Sequence, residues 1–374
     1  MQSLSDQQSP VRPQSPTHPG ADLASFALKE SRVVPDRGRS GTEFPSQAAL
    51  QPLEDWRQEL QQALRDPFEL CDLLGLPASL AQSAQDHGFP LLAPRPFVAR
   101  MRPGDPNDPL LLQVLPRPEE NLSPSLPSDA VGDLAAQKAD GLIHKYFGRA
   151  LLILAPSCAV NCRYCFRRHF PYDTVPAGDA AWTPALDQIR ADTTLAEVLL
   201  SGGDPLVLGD RRLSRLIDSL EAIPHVTRLR IHTRLPVVIP QRVTDALCDT
   251  LEASRLRTVV VLHVNHANEI DDAVASAVAK LRRTGAMLFN QSVLLRGVND
   301  TVETQAALCE RLVDVGVTPY YLSQLDMVEG VGHFETPVPR GLQIVKELRK
   351  RLPGYAVPRY VRETAGEPHK TPLA

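Results

Sequence analysis

Leu151-Leu-Ile-Leu-Ala155-Pro-Ser-Cys158-Ala-Val-Asn-Cys162-Arg-Tyr-Cys165 joins a strand-length apolar run to three cysteines spaced C-x3-C-x2-C. Three thiolates at this spacing can hold three irons of a [4Fe–4S] cube and leave the fourth iron open to a ligand. A zinc ion would need a fourth ligand, which His169 could supply. A disulfide framework is disfavoured because three is odd and nothing marks the chain as secreted. The spacing favours the open cluster and leaves zinc, or plain buried thiols, as alternatives.

The rhythm downstream of this run sets the fold class. Strand-length apolar runs recur at Leu151–Ala155, Glu197–Leu200, Thr227–Ile231, Thr258–Val264, Met287–Leu294 and Thr318–Leu322. Amphipathic stretches of helix length separate them, including Arg211–Ala222, Gln241–Ala253, Glu269–Arg283 and Glu303–Val315. Six strand–helix units in succession predict an α/β fold with a parallel sheet and helices outside. Right-handed crossovers would wind the sheet into a barrel or part of one. The cysteine loop leaves the end of the first strand, where such folds gather reactive groups.

Upstream, residues 1–50 are rich in Pro, Ser and Gln and read as a disordered tail. Residues 51–145 read as a helical region, with Trp56, Leu60, Ala63 and Leu64 at helical spacing and Leu70, Leu73 and Leu74 following Pro67. Residues 146–335 carry the six units, and 336–374 read as a C-terminal helix, strand and lysine-bearing segment. The chain has 374 residues, 43% of them hydrophobic, and a formal charge of −4. That balance supports a full core and gives no broad basic surface for nucleic acid. There is no apolar signal core and no bilayer-length apolar run, so a cytoplasmic, membrane-free protein is expected. Cys71, Cys248 and Cys309 are scattered and read as buried small apolar residues. Of 40 basic residues only seven are lysines, so few are available for imine chemistry.

Two further stretches carry candidate chemistry. Ser201-Gly202-Gly203-Asp204 ends the second apolar run; paired glycines serve either a tight strand-to-helix turn or close backbone approach to a ligand. Lys370, in Gly366-Glu-Pro-His-Lys370-Thr-Pro372, would by itself read as a solvated tail residue. His144-Lys145-Tyr146 would likewise read as solvated, and His263 and Gln291 as satisfied core polar groups.

The three-cysteine motif resembles the signature of the radical S-adenosylmethionine (SAM) enzymes, and the chain from about Leu53 onward resembles the lysine 2,3-aminomutase family. The likeness is densest in Cys158–Tyr172, in Asn290–Asp300 and in Gly332–Pro337. Asn265-His-Ala-Asn-Glu-Ile270 and Gly366–Pro372 are similar to the short bacterial branch that makes (R)-β-lysine for elongation factor P. The resemblance implies a partial (β/α)6 radical SAM barrel with an N-terminal helical extension and a C-terminal segment that binds pyridoxal phosphate (PLP). It implies three cofactors: a [4Fe–4S] cluster on Cys158, Cys162 and Cys165, SAM, and PLP carried by Lys370. Tyr164 would pack on the SAM adenine. Gly202, Gly203 and Asp204 would meet its ammonium, with Asp204 replacing the usual Glu, and His263 and Gln291 would meet its adenosyl portion. Lys145, Tyr146 and Arg149 would hold the PLP phosphate, Lys145 standing where the family commonly has Arg.

The implied reaction is an L-lysine 2,3-aminomutase isomerisation yielding β-lysine. Breaking an unactivated C–H bond needs a carbon radical from SAM, and moving nitrogen between adjacent carbons needs the π system of a PLP imine. Arg167 would grip the substrate carboxylate, a task suited to a guanidinium fork, with Arg163 and Arg168 as weaker candidates. Asp326 and Glu363 would surround the substrate's ε-ammonium. Glutamate would match two acids poorly, whereas arginine stays open as a substrate. A non-enzymatic iron–sulfur protein is the rival from another class. Thr301 stands where the clostridial type has a zinc-binding Cys, so no structural zinc is expected. Implied partners are L-lysine, an electron donor such as flavodoxin or ferredoxin, and a pathway link to elongation factor P and its ligase.

Overall fold

A computed structural model describes residues 53, 55–85, 88–122, 126–172, 178 and 182–374. The expected tail at 1–50 lies outside them. The described chain opens with four short helices, α1 (Trp56–Gln61), α2 (Pro67–Leu73), α3 (Ala78–Ser83) and α4 (Arg95–Val98). Their starts follow local chemistry. Asp66 accepts a hydrogen bond from the Phe68 N–H at 2.9 Å, and Pro67 occupies the first helical position, where no donor is needed. The helical spacing read through Leu64 ends earlier, at Gln61, because Leu64 pairs with Ala93 in an isolated bridge.

The stretch expected to be helical up to residue 145 also contains a hairpin. Strands β1 (Gln137–Ala139) and β2 (Leu142–Tyr146) pair antiparallel across Asp140-Gly141, with Gly141 at φ +73°. Asp-Gly is a favoured two-residue hairpin turn because Gly takes a positive φ without a Cβ clash. Strand β2 then pairs antiparallel with β3 (Arg149–Ala155).

From β3 the expected rhythm appears. Parallel strands β4 (Glu197–Gly202), β5 (Arg228–Thr233), β6 (Arg257–Leu262), β7 (Met287–Val293) and β8 (Thr318–Ser323) follow in order. Helices α5 (Thr183–Ala191), α6 (Asp210–Glu221), α7 (Leu235–Val238), α8 (Asp245–Ala253), α9 (Asp272–Arg283) and α10 (Val302–Asp314) lie between them. Helices α8 and α9 begin later than their apolar spacing suggests. Short 3-10 turns at Pro240–Arg242 and Ala267–Glu269 precede them and carry Arg242 and Glu269 inward. After α11 (Val338–Arg351), strand β9 (Arg359–Arg362) adds parallel to β8, and β10 (Thr371–Pro372) turns back antiparallel.

The ten strands lie in sequence order, with β1 and β10 at the edges, which is an incomplete barrel rather than a closed one. Side-chain alternation fixes what faces inside. On β5, Leu229, Ile231 and Thr233 are buried, while Arg230 and His232 face the interior of the curled sheet. On β7, Leu288, Asn290 and Ser292 are buried and Gln291 faces inward. The apolar residues beneath the helices merge with those of α1–α4 into one core cluster, including Leu64, Leu70, Phe97, Leu200, Ile217 and Val260. The two ends of the sheet meet through side chains, the Tyr146 hydroxyl donating to Glu363 Oε1 at 2.5 Å.

Candidate active site

The cysteine loop is pinned to the N-terminal layer before it does anything else. The Asn161 N–H donates to the Leu92 carbonyl at 3.0 Å, and the Arg163 N–H to the Gln113 carbonyl at 2.8 Å. Arg163, fully buried, forks onto Glu120 at 2.8 and 2.5 Å, and Arg168 reaches the same carboxylate at 2.8 Å. Both guanidiniums stack on Phe89, 4.9 and 4.8 Å from the ring centre. Burial alone would raise the Glu120 carboxyl, but the two arginines outweigh it and hold it below its usual range. Arg163 and Arg168 are therefore anchors of the loop and not free to grip a substrate.

Cys158, Cys162 and Cys165 are free thiols. Burial pushes Cys158 up, assisted by the other two cysteines, and pushes Cys165 up to about 11. Buried thiolates of this kind need cationic compensation, which iron supplies by holding them deprotonated. His169 is exposed, its Nε2 lying 3.0 Å from the Glu329 carbonyl, so the zinc alternative lacks its fourth ligand. Among the described residues no three Cys, His, Asp or Glu side chains close on one ion. A cube spreads its cysteines around several irons, so the donor set fits a cluster better than a single metal.

The paired glycines serve this loop. A Cβ on Gly203 would lie 2.3 Å from the Ser157 carbonyl oxygen, and one on Gly202, at φ +105°, 2.5 Å from Ile153 Cγ2. Only glycine lets β4 approach the cysteine loop so closely. The Gly203 and Asp204 N–H groups donate to the Ala155 and Ser157 carbonyls at 3.1 and 3.2 Å. Asp204 departs from its expected place. Its Oδ1 accepts from the Leu206 N–H at 3.0 Å and the Thr233 hydroxyl at 2.7 Å, and its Oδ2 from the Arg234 and Leu235 N–H groups at 2.7 and 2.9 Å. The carboxylate is spent on capping two turns, so it is not placed to receive an ammonium.

Inside the curled sheet lies a cavity of about 340 Å³. Nine residues singled out from the sequence line it: Lys145, Tyr146, Arg149, Arg167, His263, Gln291, Asp326, Glu363 and Lys370. They come from β2, β3, the cysteine loop, β7 and the segments after β6, β8 and β9. Tyr164 and Gly202–Asp204 belong to the cysteine side and do not line this cavity. His263 stands one residue past the end of β6 rather than within it.

The charges in the cavity form one network, in which Lys145 links two acids. At one side, Asp133 bridges Lys145 Nζ at 2.5 Å and Arg167 Nε at 2.7 Å, and the Ser201 hydroxyl takes a hydrogen bond from Arg167 Nη1 at 3.2 Å. Arg167 Nη2 has no side-chain partner among the described residues. Burial opposes the Asp133 charge, but Arg167 and Lys145 hold its carboxyl below the usual range. At the other side, Glu363 pairs with Lys370, takes the Tyr146 hydrogen bond and lies 3.6 Å from Lys145. Burial would raise Glu363; Lys370, Tyr146 and Lys145 bring it below its usual range. Asp326 contrasts with it. It has no side-chain partner among the described residues, and burial raises it to about 7, with Lys370 opposing and Glu363 assisting. Arg149 stacks on Tyr146 at 4.8 Å and has no ion-pair partner among the described residues.

No family model matches the chain. The L-lysine 2,3-aminomutase of Escherichia coli is 48% identical over 86% of this chain and 94% of its own length. The chain belongs to the lysine 2,3-aminomutase family. The namesake from Haemophilus influenzae is 45% identical over 88% of this chain and 98% of its own. The one from Clostridium subterminale is 39% identical over 74% and 67%. A radical SAM methyltransferase structure from Sphaerobacter thermophilus overlaps 60% of this chain and 71% of its own, at 20% identity and a TM-score of 0.42, a likeness too loose to carry weight. A lysine 2,3-aminomutase works with a [4Fe–4S] cluster, SAM and PLP, and the donor sets here fit them: three free thiols, a glycine-lined approach beside them, and a lysine facing cationic and phenolic groups in one cavity.

The sequence reading missed several cavity groups. Asp133, Ser201, Arg230, His232, Tyr320 and Tyr321 all line it. His232 is driven well below its usual range by burial and by His263, and its buried Nε2 has no partner among the described residues, which marks it as a neutral group open to a ligand. The alternation in Arg228-Leu-Arg-Ile-His-Thr233 carried the signal for Arg230 and His232.

Proposed function

We propose that this chain is an L-lysine 2,3-aminomutase that converts L-lysine to β-lysine, the R form. The observation that carries the reading is the polarity of the cavity, with the free edge of Arg167 at one place and the unpartnered acid Asp326 at another, beside Lys370. A substrate with a carboxylate and a distant cation fits that polarity. When bound, the cluster with SAM supplies a carbon radical able to take an unactivated hydrogen, and PLP supplies the π system across which nitrogen moves.

Cys158, Cys162 and Cys165 hold the cluster. Tyr164, Gly202, Gly203, His263 and Gln291 receive SAM, the ammonium meeting the glycine backbone. Lys370 would carry PLP, and Lys145, Tyr146 and Arg149 would hold its phosphate. Asp133 and Ser201 fix Arg167 so that Nη2 meets the substrate carboxylate. Asp326 takes the ε-ammonium. Glu363 would stand with Asp326 at the ε-ammonium, and would receive the Lys370 ammonium when the substrate displaces that lysine from PLP. Arginine is the second reading for the substrate, because carboxylates also accept guanidinium.

A one-electron carrier such as flavodoxin or ferredoxin reduces the cluster in the cytoplasm, and the product supplies β-lysine for elongation factor P through a separate ligase. The short-branch motifs Asn265–Ile270 and Gly366–Pro372 support that use. Among the described residues no helix is long and apolar enough to cross a membrane.

Anaerobic incubation of the reduced, reconstituted protein with lysine, arginine and glutamate in parallel tests the reading. β-Lysine from lysine alone is expected. Turnover of arginine in preference to lysine would replace the substrate. Absence of borohydride-trappable PLP alongside an intact cluster would favour the non-enzymatic rival.

A further inference from the structure

Arg234 stands just past β5, outside the cavity, and sequence reading gave it no role. Its guanidinium is buried and forked. Nη2 donates to Gln113 Oε1 at 2.7 Å and to Glu269 Oε2 at 3.0 Å. Nη1 is thereby turned the other way, 2.7 Å from Cys162 Sγ and 2.6 Å from the Tyr164 hydroxyl. The planar group also lies over Phe97 at 5.2 Å and Tyr164 at 5.6 Å. Its own N–H is held by Asp204 Oδ2 at 2.7 Å.

Each anchor of this arginine is itself fixed. Glu269 is fully buried, and its Oε1 accepts from the N–H groups of Asn265 and His266 at 2.8 and 3.0 Å and from Gln113 Nε2 at 3.2 Å. Gln113 also accepts from Asn265 Nδ2 at 3.0 Å. The network spans the N-terminal layer, the Gly-Gly-Asp turn and the segment after β6. A buried cation kept in place by so many partners, with one edge aimed at a cysteine sulfur, has a purpose beyond packing.

We propose that Arg234 is a positioning residue for the cluster. Its Nη1–H donates to the Cys162 thiolate and so makes the cluster easier to reduce, while the same nitrogen fixes the Tyr164 ring beside the SAM site. The physical reason is charge. Reduction adds one electron to the cluster, and the added negative charge falls partly on the thiolate sulfurs. A donor aimed at one of them stabilises the reduced form more than the oxidised form, which raises the potential. Glu269 offsets the arginine's charge at long range but lies on its far edge, so the field at Cys162 stays positive. The proposal rests on the reading that Cys158, Cys162 and Cys165 hold the cluster.

Two measurements decide it. In the unaltered protein labelled with guanidino-15N arginine, pulsed electron paramagnetic resonance (EPR) of the reduced cluster is expected to show 15N coupling. An EPR signal without that coupling overturns the proposal, whereas absence of any reduced [4Fe–4S] signal in reconstituted protein refutes the cluster assignment instead. The second measurement is an EPR-monitored redox titration of Arg234→Met/Glu269→Gln, which removes both buried charges together and keeps the Oε1 acceptor. The reduction equilibrium is expected to weaken about tenfold, about 59 mV for one electron. A potential equal to that of the unaltered protein in a variant that holds its cluster overturns the proposal. Arg234→Lys, which keeps the charge and loses the fork, is expected to fall between the two. The label is read in unaltered protein, so a missing coupling overturns the proposal even where a variant fails to hold a cluster.

Discussion

The cysteine loop, which reaches the cavity through Phe166 and Arg167, and the Lys370 segment, which also lines it, are built differently. The loop is locked: Glu120 clamps two arginines, Asp204 accepts four hydrogen bonds, and Gly202 and Gly203 leave no room for a Cβ. The lysine region is held by ion pairs that a ligand can exchange, Lys370 with Glu363 and Lys145 with Asp133. The difference follows from what each must do. Under the proposed roles, a cluster has to sit in one place at one potential, whereas a lysine that releases its cofactor to the substrate must change partners in every cycle.

The largest effect that would break this contrast lies in the loop clamp. Glu120→Ala leaves two buried guanidiniums unpaired and is expected to cost about 3–5 kcal/mol. Thermal melting should fall steeply and iron content should drop with it; an unchanged melt would show the loop is not anchored as described. Gly203→Ala is expected to be next, costing about 1–3 kcal/mol by forcing the cysteine loop away from β4. Iron per chain after reconstitution measures it, and full occupancy would contradict the tight approach.

Effects at the exchangeable region are smaller and appear in kinetics. Asp326 is raised to about 7, against about 3.9 in an unfolded chain. The native state therefore holds a proton that the unfolded chain gives up, so stability from this group is complete below about pH 4 and lost as pH rises through 7. Binding an ammonium needs the carboxylate, so KM for lysine is expected to fall between pH 6 and 8. Asp326→Asn should flatten that dependence and raise KM roughly tenfold. A KM profile identical to that of the unaltered protein would move the ammonium elsewhere. The mildest change is Lys145→Arg, which keeps a cation in the cavity and, under the proposed roles, is expected to alter PLP affinity by about threefold. A complete loss of PLP would show that this region is as rigid as the loop.

The two regions were also unequally legible in the sequence. The strands declared themselves because parallel strands covered on both faces read as apolar runs, as in Val259-Val-Val-Leu262. The three cysteines are close neighbours in the chain, so their spacing carried their chemistry. Lys370 stood out only through the family resemblance, since a lysine near a turn is otherwise read as solvated, and the fold places it in the cavity. Asp133 and Arg234 were silent, because their partners lie 12 to 121 positions away and no local pattern brings them together. Asp204 was read as a ligand because the motif draws attention to it, while its four donors come from backbone and side chains visible only in the fold. The hairpin at 137–146 had a signal, Asp140-Gly141, that the search for helical periodicity passed over.

Under the proposed roles the loop and the lysine segment serve one amino-group shift, in which the cluster is independent of Lys370 and the product depends on it. Lys370→Ala, reduced and supplied with SAM, PLP and L-lysine under anaerobic conditions, tests both halves at once. It should keep the EPR signal of the reduced cluster, with the change in that signal on adding SAM, and form no β-lysine. β-Lysine formed at the rate of the unaltered protein would contradict the claim.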